Sequence, residues 1–60
     1  MSVTVEENAL LREAPDPNAR AVGLALKGDV LPAAGRGDVN GYAPVCYRGV
    51  VAWVRGAKGL

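Results

Sequence analysis

All three aromatic rings and the one cysteine of this 60-residue chain fall between Asn40 and Arg55. Tyr42, Pro44, Trp53 and Arg55 are of the types that make a recognition surface. An aromatic ring beside a proline and a guanidinium can stack on a peptide or a sugar and hold a cation. The groups that catalysis needs are scarce. The chain has no His, which removes the commonest general base. Ser2 and Thr4 are its only aliphatic hydroxyls, and neither stands in a motif that supplies a base. Glu6 and Glu7 are adjacent carboxylates, and neighbours in an extended strand point to opposite faces. The glycines fit neither a phosphate-binding loop nor a dinucleotide fingerprint. A structural zinc site is excluded as well, since one Cys and no His cannot fill a four-ligand shell. The expectation is therefore a binding surface, with no enzymatic activity, cofactor or small-molecule substrate. Cys46 is read as a small hydrophobe on the hairpin rather than as a reactive thiol or an intermolecular link.

The element that must position those four residues is a C-terminal hairpin. Asn40-Gly41 opens it, Arg48-Gly49 turns it, and Val50–Val54 returns. With Arg48 and Gly49 as a two-residue loop, Tyr47 pairs with Val50, Cys46 with Val51, Val45 with Ala52, Pro44 with Trp53, Ala43 with Val54 and Tyr42 with Arg55. Alternation then places Ala43, Val45, Tyr47, Val50, Ala52 and Val54 on a small, apolar core face. Tyr42, Pro44, Cys46, Val51, Trp53 and Arg55 share the other. A type I′ loop needs positive φ at both central residues, so Arg48 costs about 1 kcal/mol relative to Asn or Gly. A slipped or bulged turn is the alternative, and it would reassign the faces.

The rest of the chain reads as short strands between turns. Eight Gly and four Pro are spread along its length, which leaves little room for a helix. Val3–Val5 and Leu10–Arg12 are short strands, Pro15-Asp16-Pro17-Asn18 is a rigid loop, and Ala21–Leu26 is a strand with Val22, Leu24 and Leu26 on one face. Lys27-Gly28-Asp29 is a turn. Val30–Ala34 is a strand interrupted by Pro32, which confines it to an edge or a bulge. Gly35-Arg36-Gly37-Asp38 is a loop tip, and its Arg-Gly-Asp triplet is too short to carry an adhesion reading.

The segment Asn-Gly-Tyr-Ala-Pro-Val-Cys-Tyr-Arg-Gly-Val-Val-Ala-Trp-Val, residues 40–54, resembles the closing hairpin of bacterial SH3 (SH3b) domains. That family shows Asn-Gly-Trp, a strand, Tyr-Asn-Gly, then Gly-Trp-Val. Ala9-Leu10-Leu11-Arg12-Glu13-Ala14-Pro15 sits where the family has Leu-Asn-Val-Arg-Ser-Gly-Pro, and Val22-Gly23 with Lys27-Gly28-Asp29 stands for its Ile-Gly and Lys-Gly-Asp. The departures are Tyr42 for Trp, Ala52 for the Gly before Trp53, Ala14 for Gly and Leu10 for Asn. The resemblance implies an all-β fold, a small SH3-like β-barrel of about five short strands, occupying residues 1–60 as a single domain. It also implies a binding role, commonly toward peptidoglycan or peptide targets.

Size and charge bear on the partner. A chain of this length buries only about 60% of the surface its unfolded form exposes, so its stability is marginal. With no disulfide possible within the chain, association is the remaining reinforcement. The net charge is +1, split as −2 over residues 1–30 and +3 over residues 31–60. Neither value recruits nucleic acid, and Arg36, Arg48, Arg55 and Lys58 make only a thin basic patch. No apolar run approaches the ~20 residues a membrane span requires. The N-terminus lacks the basic and apolar regions of a signal peptide, so the chain is expected to be made in the cytoplasm and to remain there or enter a virion. The expected function is that of a small structural or assembly protein docked on a larger complex such as a phage virion, through a protein partner or self-assembly. The alternative is a peptidoglycan-binding targeting module of the cell wall. Trp53 is either part of a binding platform with Tyr42, Pro44 and Arg55, or a cover for the end of a small barrel.

Overall fold

In the computed structural model the described residues form an all-β structure. The structure describes residues 2–35 and 37–55, together with the strand backbone of residues 57–59. The strands are β1 (Ser2–Val5), β2 (Ala9–Arg12), β3 (Ala21–Ala25), β4 (Val30–Pro32), β5 (Tyr42–Tyr47), β6 (Val50–Arg55) and β7 (Ala57–Gly59). They form two antiparallel sheets, one ordered β4-β1-β7 and one ordered β3-β2-β6-β5. Among the described residues the sheets do not close into a barrel. They meet at a corner just beyond β4, where Ala33 bridges to Val45 of β5 and the Ala34 N–H donates to the Pro44 carbonyl at 3.0 Å. The short strand β7 carries little intrinsic strand preference. It is ordered by its pairing with β1, Val3 opposite Gly59 and Val5 opposite Ala57, so the hairpin is not the final element.

The buried core lies between the sheets. Val3 and Val5 from β1 meet Leu11 and Ala25 from β2 and β3, and Ala43, Val45, Ala52 and Val54 from β5 and β6. Four of the six residues assigned to the hairpin's core face are thus fully enclosed. The other two are not. Val50, next to the turn, is 54% exposed, and Tyr47 is half-buried with its ring packed against the core beside Gly23. These are small and branched side chains, and each methylene removed from such packing is felt.

Two loops fix how the strands enter the core. In Lys27-Gly28-Asp29, Gly28 takes φ 92°, a region costly to any other residue type. The Asp29 carboxylate accepts from the Leu26 N–H at 2.9 Å, while the Gly28 N–H donates to the Val5 carbonyl at 2.8 Å. That turn therefore stitches the end of β3 to the end of β1. Between β2 and β3, the Asp16 carboxylate accepts from the Asn18 N–H at 2.9 Å, the side-chain turn that an Asp between prolines favours. Pro32 sits in β4, which is an edge strand, as its missing N–H requires.

Candidate functional site

The hairpin that carries the four chemistry-bearing residues pairs in the register expected from a two-residue loop, from Tyr47 opposite Val50 to Tyr42 opposite Arg55. Arg48 has φ 49° and Gly49 φ 82°, both positive, as a type I′ turn demands. The strain at Arg48 is offset in part by its guanidinium, whose Cζ lies 5.5 Å from the centroid of the Tyr47 ring. A second turn of the same sign, Asn40 at φ 54° and Gly41 at φ 81°, leads into β5 and is closed by reciprocal 2.9 Å bonds between Val39 and Tyr42.

Pro44 is compatible with this strand for a specific reason. Counting from the turn, Tyr47 and Val50 form a hydrogen-bonded pair, and alternation makes Pro44 and Trp53 a non-hydrogen-bonded one. The nitrogen of Pro44 therefore faces away from β6, where no ladder bond is lost. Its carbonyl points the same way and is taken by Ala34.

Pairing brings the four residues side by side, with Trp53 between Pro44 of β5 and Arg12 of β2. The surface they present is smaller than the sequence suggests. Tyr42 is only 4% exposed and Pro44 is also buried, Trp53 is half-buried, and Arg55 is exposed. The chain passes this side of β5 at residues 33–35 and again at residues 39–41. A Cβ on Gly35 would come within 3.6 Å of Pro44 Cγ, and Asn40 Nδ2 donates to the Pro15 carbonyl at 3.1 Å. Tyr42 is thus enclosed, while Trp53 and Arg55 keep surface open to solvent. Arg12 is held in place by donating from Nη1 to the Ala19 carbonyl at 2.8 Å.

Sequence reasoning missed the apolar surface beside Trp53. Leu10, Val22 and Leu24 are exposed on β2 and β3, with Leu10 directly opposite Leu24. Val22, Leu24 and Leu26 do share a side, but it is the solvent side. The inner side belongs to Gly23 and Ala25, and the space over Gly23 is taken by the Tyr47 ring, whose Cε2 would lie 2.6 Å from an added Cβ. Val51 of β6 is exposed too. Cys46 is exposed rather than packed, since it shares the outer side of edge strand β5 with Val51, beyond the covering loop.

Among the described residues the remaining ionisable groups do not assemble into a site. Glu6 and Glu7 are exposed in the bend after β1, not in a strand. Among the described residues no three His, Cys, Asp or Glu side chains gather as metal ligands, and no helix is long and apolar enough to cross a membrane. Of the basic patch, Arg48 and Arg55 are exposed, whereas Arg36 and the Lys58 side chain lie outside the described residues. Comparison with known proteins finds no matching family model, no matching curated protein and no matching solved structure.

Proposed function

We propose that this chain is a non-catalytic interaction module of SH3b-like architecture, a small structural or assembly protein that docks on a larger complex such as a phage virion. The observation that carries this reading is the outer side of the four-stranded sheet. It presents Leu10, Val22, Leu24 and Val51 to solvent around the half-buried Trp53 and the exposed Arg55. Large apolar side chains exposed together on one sheet face mark a contact, and aromatic and arginine residues are the ones enriched at the centres of such contacts. The SH3b-like part rests on the hairpin sequence, and the strand order is compatible with it. β1 lies between β4 and β7, and the chain turns a corner from β4 into β5 before the hairpin.

The half-exposed Trp53 beside Arg55 also favours the second reading, capture of peptidoglycan, since a ring of this kind stacks on a sugar face. Two measurements separate the readings. Sedimentation with purified peptidoglycan that is lost on Trp53→Ala supports the wall-binding module and overturns docking as the main role. Recovery of the chain within a defined larger particle, with no sedimentation on wall material, supports docking. A folded protein found neither on wall material nor in any larger assembly overturns both.

A further inference from the structure

The outer side of the four-stranded sheet carries charge of one sign only. Strands β2, β3, β5 and β6 contain no Asp or Glu, and their only ionised side chains are Arg12 and Arg55. Trp53 lies directly across from Arg12 and two residues before Arg55 on the same strand, so all three share this side. β2 runs antiparallel to β6, which sends Leu10 toward the Arg55 end, and Leu24 stands opposite Leu10 on β3. Cations and apolar side chains therefore alternate around Trp53, with the two arginines on diagonal positions of the β2–β6 pair. Such positions are about 7–8 Å apart, within reach of long side chains.

Two like charges so placed repel each other, and an anion between them removes that cost. Arg12 is already fixed. Its Nη1 donates to the neutral Ala19 carbonyl at 2.8 Å, which orients the guanidinium without neutralising it. A guanidinium held in this way keeps further N–H donors for a carboxylate and loses less freedom on binding one. Arg55 is exposed, and beside it Leu10 is 47% and Leu24 57% exposed. The complement of this face is a segment that carries carboxylates next to apolar side chains. Nucleic acid fits it less well. Binding there needs a row of cations along the backbone and rings that stack successive bases, and this face has Arg12, Arg55 and the half-buried Trp53.

We infer that this face binds an acidic, leucine-bearing segment of a partner protein, its carboxylates on Arg12 and Arg55 and its apolar side chains on Leu10, Leu24 and the open part of Trp53. This names the partner chemistry of the proposed docking role and rests on it. Trp53 is the one tryptophan of the chain, so its emission reports on this face. The titrant is a synthetic peptide of repeated Leu-Ser-Glu-Ser, which in extended form sets Leu and Glu on one side. Its counterpart has Lys in place of Glu. The acidic peptide is expected to shift Trp53 emission saturably at low salt and more weakly as salt rises, and the Lys peptide to leave it unchanged. Arg55→Glu is expected to weaken binding by about tenfold or more, whereas Lys27→Glu, the same charge change at the exposed turn after β3, stays within about twofold. Equal response to the two peptides, or equal loss in the two variants, overturns the acidic chemistry. A tighter response to oligodeoxythymidine assigns the face to nucleic acid and overturns it as well. An emission shift that grows with protein concentration alone assigns the face to a second copy, with the same consequence. No response from protein that circular dichroism shows to be folded also overturns it. Recovery of that folded protein in a larger particle would leave the docking role standing, so the two failures are distinct.

Discussion

The two hairpins of the four-stranded sheet use the same device and end in opposite states. In β5–β6 the outer side is largely closed: Tyr42 and Pro44 are buried, and the Pro44 carbonyl and the backbone groups of Tyr42 are engaged. In β2–β3 the outer side is open, with Leu24 at 57% exposure and an edge that no other described segment hydrogen-bonds. What separates them is the inner side. Ala43, Val45, Ala52 and Val54 fill the core from one hairpin, whereas β3 contributes only Gly23 and Ala25 and must yield space to the Tyr47 ring. A strand whose small residues face inward has to send its large ones outward. The difference teaches that burial in so small a domain is set by the space across the core, not by the apolar character of a strand.

The largest expected effect comes from cutting into the shared core. Leu11 is fully buried and its neighbour Leu10 is exposed, so they form a matched pair on one strand. Leu11→Ala is expected to cost about 2–5 kcal/mol, enough to unfold most of a marginally stable domain. Leu10→Ala and Leu24→Ala should each cost under about 0.5–1 kcal/mol in the monomer. Urea titrations followed by circular dichroism decide this, and equal losses at Leu11 and Leu24 would erase the distinction between inner and outer sides.

Overfilling the inner side should cost less than emptying it. Gly23→Val places a branched side chain where the Tyr47 ring lies, and the ring must swing off β3. A loss of about 1–3 kcal/mol is expected, read by thermal denaturation. If Tyr47→Ala in the same chain restores most of the loss, the two residues are in contact as described. No restoration would place the clash elsewhere.

The turns give the smallest effects and opposite signs. Arg48→Asn relieves a positive φ while forfeiting the contact with Tyr47, for a net gain of up to about 1 kcal/mol. Asn40→Ala loses both a residue type that tolerates positive φ and the bond to Pro15, for a loss of about 1 kcal/mol. Denaturation midpoints measured together test the pair. A gain at Asn40 or a loss at Arg48 would contradict the turn assignment.

How much could be read beforehand follows the same division. The β5–β6 register was legible because a two-residue turn fixes every pair that follows it, and Arg48-Gly49 left few alternatives. The outward turn of Val22 and Leu24 was not legible. A period of two shows that alternate residues share a side, but which side faces inward depends on Tyr47, some two dozen positions away in sequence. Tyr42 failed for a related reason. Alternation put it on the outer side correctly, and a loop that the local pattern does not announce then covered it. Cys46 escaped that cover by lying nearer the turn. Of the four residues of the proposed platform, Tyr42 and Pro44 are therefore enclosed, and Trp53, Arg55 and the unforeseen leucines make the exposed surface.

The claim that the outer side is open over β2–β3 and closed over β5 is tested most directly by urea titration of variants that place one charge on each. Leu24→Lys, at an exposed position, is expected to leave stability within about 0.5–1 kcal/mol of the wild-type chain. Tyr42→Lys puts a charge where the side chain is only 4% exposed, and is expected to unfold most of the protein. Equal losses at the two positions would contradict the account.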